Sequence, residues 1–415
     1  MIKITSEIKK QILIFFNYYI FAVIEAGIGF FTIYYLTLNI LPEEFGMIGI
    51  FASILFILPS ILTFSTGGLQ SIQIINLSND NYLFFRNKFL SFSLIISFLV
   101  FLLTILFDYV ISGYSVVFFS AYFVGLFQTL SLVHSSELIQ YRKATTYGIL
   151  TSSTSILTLI FTLVFISYLN LDWQFRLYAI VISEFVILII RYYVISNIGK
   201  SFKFIIDYNQ FRYFLSYGFP LILAGVLGWV LNQSDKYFIL HYFDLKIVGL
   251  YTAAAGVAKV ISMINQTMIK AILPVVYNLL KKKKGKRKIL KLQIYYAIII
   301  LFISFTLCYL IHLFGSKLLD ARYLKAVNII YIFVLAKAAF GIYTMNALII
   351  DYFKKTKIKL LATFLCALIT VVCSYLFIPI FQTLGPAFAG LAGFISLNLI
   401  SLYFSNKLMK LNKII

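Results

Sequence analysis

Apolar residues along this chain come in blocks long enough to cross a membrane, separated by short polar turns. A helix needs about 20 such residues to span about 30 Å of hydrocarbon. The blocks predict spans at 12–37, 47–75, 89–110, 113–133, 146–168, 176–197, 214–240, 248–277, 292–314, 326–350, 358–380 and 385–406. Prolines and glycines should disturb three of them. Pro59 and Gly67-Gly68 interrupt span 2, Pro220 with Gly225 and Gly228 marks span 7, and Pro274 ends span 8. The predicted fold class is an all-α integral membrane protein of about twelve transmembrane helices.

Composition agrees with the pattern. Of 415 residues, 62% are hydrophobic and 12% charged, with a mean hydropathy of +0.97. Soluble chains carry roughly 25% charged residues, so too little polar surface is present to cover a water-soluble particle. The net charge of +21 raises a nucleic-acid reading, which the positions of the cations remove. Of the 35 Lys and Arg residues, 26 fall in alternate connecting segments and the two termini. The opposite segments hold only Arg176, Lys246, Lys317, Arg322 and Lys325. That asymmetry predicts cytoplasmic N- and C-termini in an inner membrane and no nucleic-acid partner. The run Lys281–Lys284 with Lys286, Arg287 and Lys288 reads as an anchor at anionic membrane lipid. Span 1 is too long for a signal-peptide core and lacks a small-residue cleavage site, so no cleavable signal peptide is expected. Cys308, Cys366 and Cys373 lie in apolar spans, and their spacing fits neither disulfides nor a metal site. His134, His241 and His312 sit at span ends, where interfacial roles are expected.

The chain also repeats. At an offset of 203, Tyr34 meets Tyr237, Tyr35 meets Phe238, Ile40 meets Phe243 and Gly46 meets Gly249. A second echo pairs Tyr141–Thr145 with Tyr352–Thr356. The reading is two six-helix bundles, 1–198 and 214–415, joined by a cytoplasmic linker at 199–213 that suits an interfacial helix. Six spans per half give both halves one orientation, so a pseudo-two-fold axis should run along the membrane normal, with substrate bound between the halves.

Ionisable side chains inside spans are costly and face a bundle interior or a watery cavity. They are Glu25, Glu184, Asp235, Lys236, Lys259, Lys270 and Lys337. Lys259, Gln266 and Lys270 are seven and four residues apart and share one helix face. Lys337 recurs with Thr344, and Glu25 with Tyr18 and Thr32. Lys259, Lys337, Lys270 and Gln266 are therefore the expected lining of a cationic, anion-binding cavity. Glu25, Glu184 and Asp235 are the expected counter-ions or coupling groups, and Asp235 with Lys236 also fits a packing pair. No cofactor is expected beyond a proton or sodium gradient, because no nucleotide-binding loop occurs.

Several short motifs resemble a known family. Leu41-Pro-Glu-Glu-Phe-Gly46, Gly218-Phe-Pro220, Asp235-Lys236, Val248-Gly-Leu-Tyr251, Lys354-Lys-Thr-Lys357 and Gly385-Pro-Ala-Phe-Ala-Gly390 are similar to features of bacterial polysaccharide flippases. The resemblance implies a V-shaped fold shared with multidrug-and-toxin extruders. It also implies alternating access that carries undecaprenyl-pyrophosphate-linked oligosaccharide, for O-antigen or capsule, to the outer leaflet. A polysaccharide polymerase and a chain-length regulator are the partners it implies. A cation-coupled multidrug exporter and a membrane polymerase or glycosyltransferase are the alternatives. The lysines speak against the first, and the short outer loops against the second.

Overall fold

The computed structural model describes residues 6–141, 143–196, 202–281 and 285–411. They form α1 (Ser6–Asn39), α2 (Pro42–Leu62), α3 (Gly68–Asn76), α4 (Asn79–Val110), α5 (Ser115–Gln140), α6 (Ala144–Leu163), α7 (Gln174–Ser196), α8 (Tyr208–Tyr242), α9 (Leu245–Lys281), α10 (Lys286–Leu318), α11 (Ala326–Tyr352), α12 (Thr356–Phe381) and α13 (Gly385–Leu411). Among the described residues, eleven apolar stretches are long enough to cross a bilayer, and the last, Thr356–Leu411, contains both α12 and α13. The fold is therefore all-α and polytopic.

Span 2 is two helices rather than one. Pro42 opens α2 at the position where its missing N–H costs nothing. The Glu44 carboxylate accepts the Leu41 N–H at 2.8 Å, closing the end as a capping box does. Pro59 then removes a backbone donor, and the chain breaks after Leu62. Phe64 and Ser65 take left-handed φ values of 50° and 54°. Ser65 N–H reaches back to the Ser60 carbonyl at 2.6 Å, and the Thr63 hydroxyl donates to Pro59 O at 2.8 Å.

Other expected ends shift too. Pro220 lies inside an unbroken α8, and α9 continues through position 274 to Lys281. The interfacial helix expected in the linker does not form over 202–207, which run without regular structure. Ile205 N–H is instead held by Ser91 Oγ at 2.8 Å. Asp207 accepts Gln210 N–H at 3.1 Å and so caps α8. Its 2.5 Å pairing with Lys88 holds its carboxyl below the usual carboxylate range. Arg142, Gly199–Ser201, Lys282–Lys284 and the terminal lysines Lys3 and Lys413 lie outside the described residues.

The chain divides into two compact units, Met1–Thr32 with Ile50–Val226, and Ile33–Gly49 with Leu227–Ile415. In the first, α5 is central and packs against α3, α4, α6 and α7. Its face is rich in small residues such as Ser120, Ala121, Gly125 and Thr129, which let membrane helices approach closely. An aromatic core of Phe85, Phe89, Phe92 and Phe214 joins α4 to the start of α8.

In the second unit, α11 is central, against α9, α10, α12 and α13. Polar ties run through it. Thr344 Oγ1 donates to Asn265 Oδ1 at 3.1 Å, and Tyr296 donates to the same oxygen. Asn346 accepts from Gln293 at 2.7 Å and donates to Asn398 at 2.8 Å.

The same unit contains a reciprocal crossing of the first turns of α2 and α9. A Cβ on Gly46 would land on the carbonyl of Leu245, and one on Gly249 on the carbonyl of Pro42. Leu245 stands 203 residues after Pro42, as Gly249 does after Gly46. The crossing is thus reciprocal, each helix start seating the other's glycine. Glu43 and Lys246, at the same offset, pair across it at 3.9 Å. Arg322 clasps the α1–α2 turn through the carbonyls of Leu38 and Thr37, at 2.8 and 3.3 Å.

The second echo also has a structural counterpart, in a register shifted by one residue. Lys143 and Lys355 each precede a helix with φ, ψ of −85°, 57° and −90°, 57°. Their N–H groups bind the carbonyls of Leu138 and Ile350 at 2.9 and 3.2 Å. The turns match at an offset of 212.

Candidate functional site

Charged groups gather inside the helices of both units. In the second unit, Asn232, Asp235 and Lys236 occupy one turn of α8. The Asn232 amide donates to Gly228 O at 2.9 Å, which leaves its Oδ1 for Lys337 Nζ of α11 at 3.3 Å. The Lys337 ammonium also lies over the Phe394 ring, 5.5 Å from its centroid. Asp235, Lys236 and Lys259 are the charges within its electrostatic reach. Asp235 Oδ1 accepts the Lys236 N–H at 2.9 Å, and the Lys236 ammonium donates to Gln233 Oε1.

Lys259, Gln266 and Lys270 are all exposed along α9. Of the expected cavity residues, Lys337 thus has Asp235 and Lys259 within electrostatic reach. Gln266 and Lys270 continue the exposed strip away from them.

Glu25 and Glu184 belong to the first unit, where the cation in their reach is Arg191. Arg191 stands two turns after Glu184 on α7. Its Nη1 donates to Ser135 at 2.5 Å, and Glu184 Oε1 accepts from Gln128 Nε2 at 2.9 Å. Gln128, Ser135, Glu184 and Arg191 line a cavity of about 360 Å³ between α5, α6 and α7, to which α6 adds Thr151, Thr154 and Ser155. Tyr147 lies within reach of both Glu25 and Arg191. The charge pattern of the sequence assigns Arg191 to a cytoplasmic segment, but it lies inside α7 and is 6% exposed.

Arg86 departs in the same way. It is buried in α4, with Nη1 3.4 Å from Glu137 Oε1 of α5. Tyr82 OH lies 3.0 Å from the same oxygen and 3.3 Å from Gln70 Oε1 of α3. Glu137 escapes a hydropathy reading because span 4 is drawn to end at 133, whereas α5 runs to Gln140. His134, also expected at an interface, feels Arg86 and Arg191. Among the described residues no cluster of His, Cys, Asp and Glu could hold a metal.

Residues 15–280 match the family model described as polysaccharide biosynthesis protein. The chain belongs to that family. Two Haemophilus influenzae proteins resemble this chain. "Lsg locus putative protein 1" is 31% identical over 173 residues, 41% of this chain and 43% of the relative. An "Uncharacterized membrane protein" is 27% identical over 169 residues, 40% of this chain and 41% of its own. The chain spans less than half the length of these curated relatives.

Among solved structures, the inward-facing form of a multidrug resistance MATE family transporter of the MOP superfamily is 15% identical. It aligns over 94% of this chain and 99% of its own, with a TM-score of 0.68. The lipid II flippase MurJ, in an inward closed form, is 13% identical over 95% and 89%, with a TM-score of 0.67. At these identities the likeness is one of fold. The chain is a bacterial multi-pass inner-membrane protein with the fold of these two structures.

Proposed function

We propose that the protein is a flippase that moves undecaprenyl-pyrophosphate-linked oligosaccharide from the cytoplasmic to the outer leaflet by alternating access. Its twelve long helices act as two six-helix halves, a reading supported by the reciprocal crossing at Gly46 and Gly249. The exposed basic strip of α9 is the single observation that carries the substrate class. Lys259 and Lys270 present ammonium groups on one face, and such groups are competent phosphate binders. Lys337, fixed by Asn232 and Phe394, adds a positioned cation within electrostatic reach of Lys259. A multidrug exporter of cations has the same fold but needs the opposite sign here. Glu25, sharing Arg191 with Glu184, is the carboxylate that takes up the coupling proton or sodium ion.

The test is export. Lys259→Ala and Lys337→Ala should each lower surface polysaccharide about tenfold or more, the worth of one charge-assisted hydrogen bond. Protein levels in the membrane should hold, and arginine at either position should retain more activity than alanine. Normal export by both alanine variants would remove the cationic-strip account.

A further inference from the structure

The cavity between α5, α6 and α7 is built for a ligand that both donates and accepts hydrogen bonds. Ser131 and Arg191 on its wall are each 6% exposed. Among the described residues, Ser131 Oγ and Arg191 Nε find no hydrogen-bond partner. Buried polar atoms ordinarily find partners, and one left open needs an explanation. Thr151 and Thr154 spend their protons on carbonyls of their own helix, so their oxygens face the cavity as acceptors.

The charges narrow the ligand further. An incoming anion would meet the Glu184 carboxylate, and an incoming cation would meet the Arg191 guanidinium. A neutral polyol satisfies both kinds of wall, because each hydroxyl donates and accepts.

A second cavity, of about 380 Å³, sits at the break in α2 and is lined by Ser60, Thr63, Ser65, Ser71 and Ser136. Leu132 of α5 lines both cavities. Each volume lies in the range of small-ligand sites, roughly 300–1,000 Å³. Hydroxyl-rich walls on both sides of one leucine form adjoining subsites.

We propose that these two cavities bind neutral sugar residues of the transported glycan, with Leu132 between neighbouring rings. The inference rests on the flippase reading for its ligand, and it separates the labour. The α9 strip takes the pyrophosphate, and the first unit takes the sugar.

The experiment uses the full chain purified in lauryldimethylamine oxide, because alkyl-glycoside detergents could occupy the cavities. Saturation-transfer NMR is run against a panel of neutral hexoses, N-acetylhexosamines, deoxyhexoses and their disaccharides. Binding of inorganic pyrophosphate is titrated separately. At least one neutral saccharide should bind, and Leu132→Trp should weaken it about tenfold or more. Thr154→Val removes one acceptor without changing shape and should weaken it less. Pyrophosphate binding should stay unchanged in both variants and fall in Lys259→Ala.

No saccharide signal across the panel would overturn the proposal. So would binding indifferent to both cavity variants, or a cavity that responds only to sodium or protons. Loss of the pyrophosphate response alone would count against the flippase reading and leave the sugar site standing.

Discussion

Gly249→Leu should unseat α9 from α2 and lower the thermal unfolding midpoint of the detergent-purified protein. A Cβ at this position lands on the Pro42 carbonyl carbon and oxygen, with Gly46 N behind it. These are backbone atoms of a helix start, so no rotamer change relieves the clash. Forced overpacking costs about 1–3 kcal/mol, and a leucine across a backbone contact belongs at the upper end. Gly46→Leu should act alike, since its Cβ meets the Leu245 carbonyl. Gly27→Leu is the control, because that position faces open space in α1 and helix propensity favours the change. Equal midpoints for Gly249→Leu and Gly27→Leu would show that the crossing is not close.

Glu137→Leu should be more damaging still. Arg86 and Glu137 are 7% and 4% exposed, and removing one member of a buried pair costs about 3–5 kcal/mol. Tyr82 OH also loses an acceptor 3.0 Å away. The double variant Arg86→Met with Glu137→Leu should recover most of the loss, because no ion is then left behind in an apolar interior. Denaturant midpoints of the single and double variants decide the matter. A double variant as unstable as the single would place the stability in packing rather than in the charge pair.

Hydropathy made the long helices legible, because only a hydrocarbon layer demands uninterrupted apolar blocks of that length. It misread their ends. α4 starts at Asn79, ten residues before its apolar block, and α5 continues to Gln140, seven residues past its own. In these extensions the helix is held by paired polar groups rather than by lipid. A hydropathy window therefore reads Arg86 as a loop charge when the fold pairs it with Glu137. The sorting of cations by segment counts Arg191 with the linker, although it lies in span 176–197 and donates to Ser135.

The break in span 2 was signalled by Pro59 and Gly67-Gly68. The left-handed pair Phe64 and Ser65 was not, because neither residue type favours that region. The offset of 203 was visible because a backbone crossing tolerates only glycine at Gly46 and Gly249. At the turns before α6 and α12 many residue types fit, and the echo there was read one position off.

The strip of Lys259, Gln266 and Lys270 could be read from spacing alone. The seat of Lys337 on Asn232 and Phe394 is tertiary and joins residues 105 positions apart at the first of these contacts. Ser131, Ser135 and Thr154 carried no signal at all, since hydroxyls in membrane helices usually bond their own backbone.

Flipping is read out directly in proteoliposomes. Lipid-linked oligosaccharide recovered from a strain lacking this protein is reconstituted with the purified chain. The fraction open to an impermeant lectin is then followed under an imposed proton or sodium gradient. The account predicts that wild-type protein raises that fraction above the protein-free level when the gradient is applied, and that Lys259→Ala leaves it flat. A wild-type trace that overlays the protein-free vesicles, while the same preparation moves a cationic dye, would contradict the account.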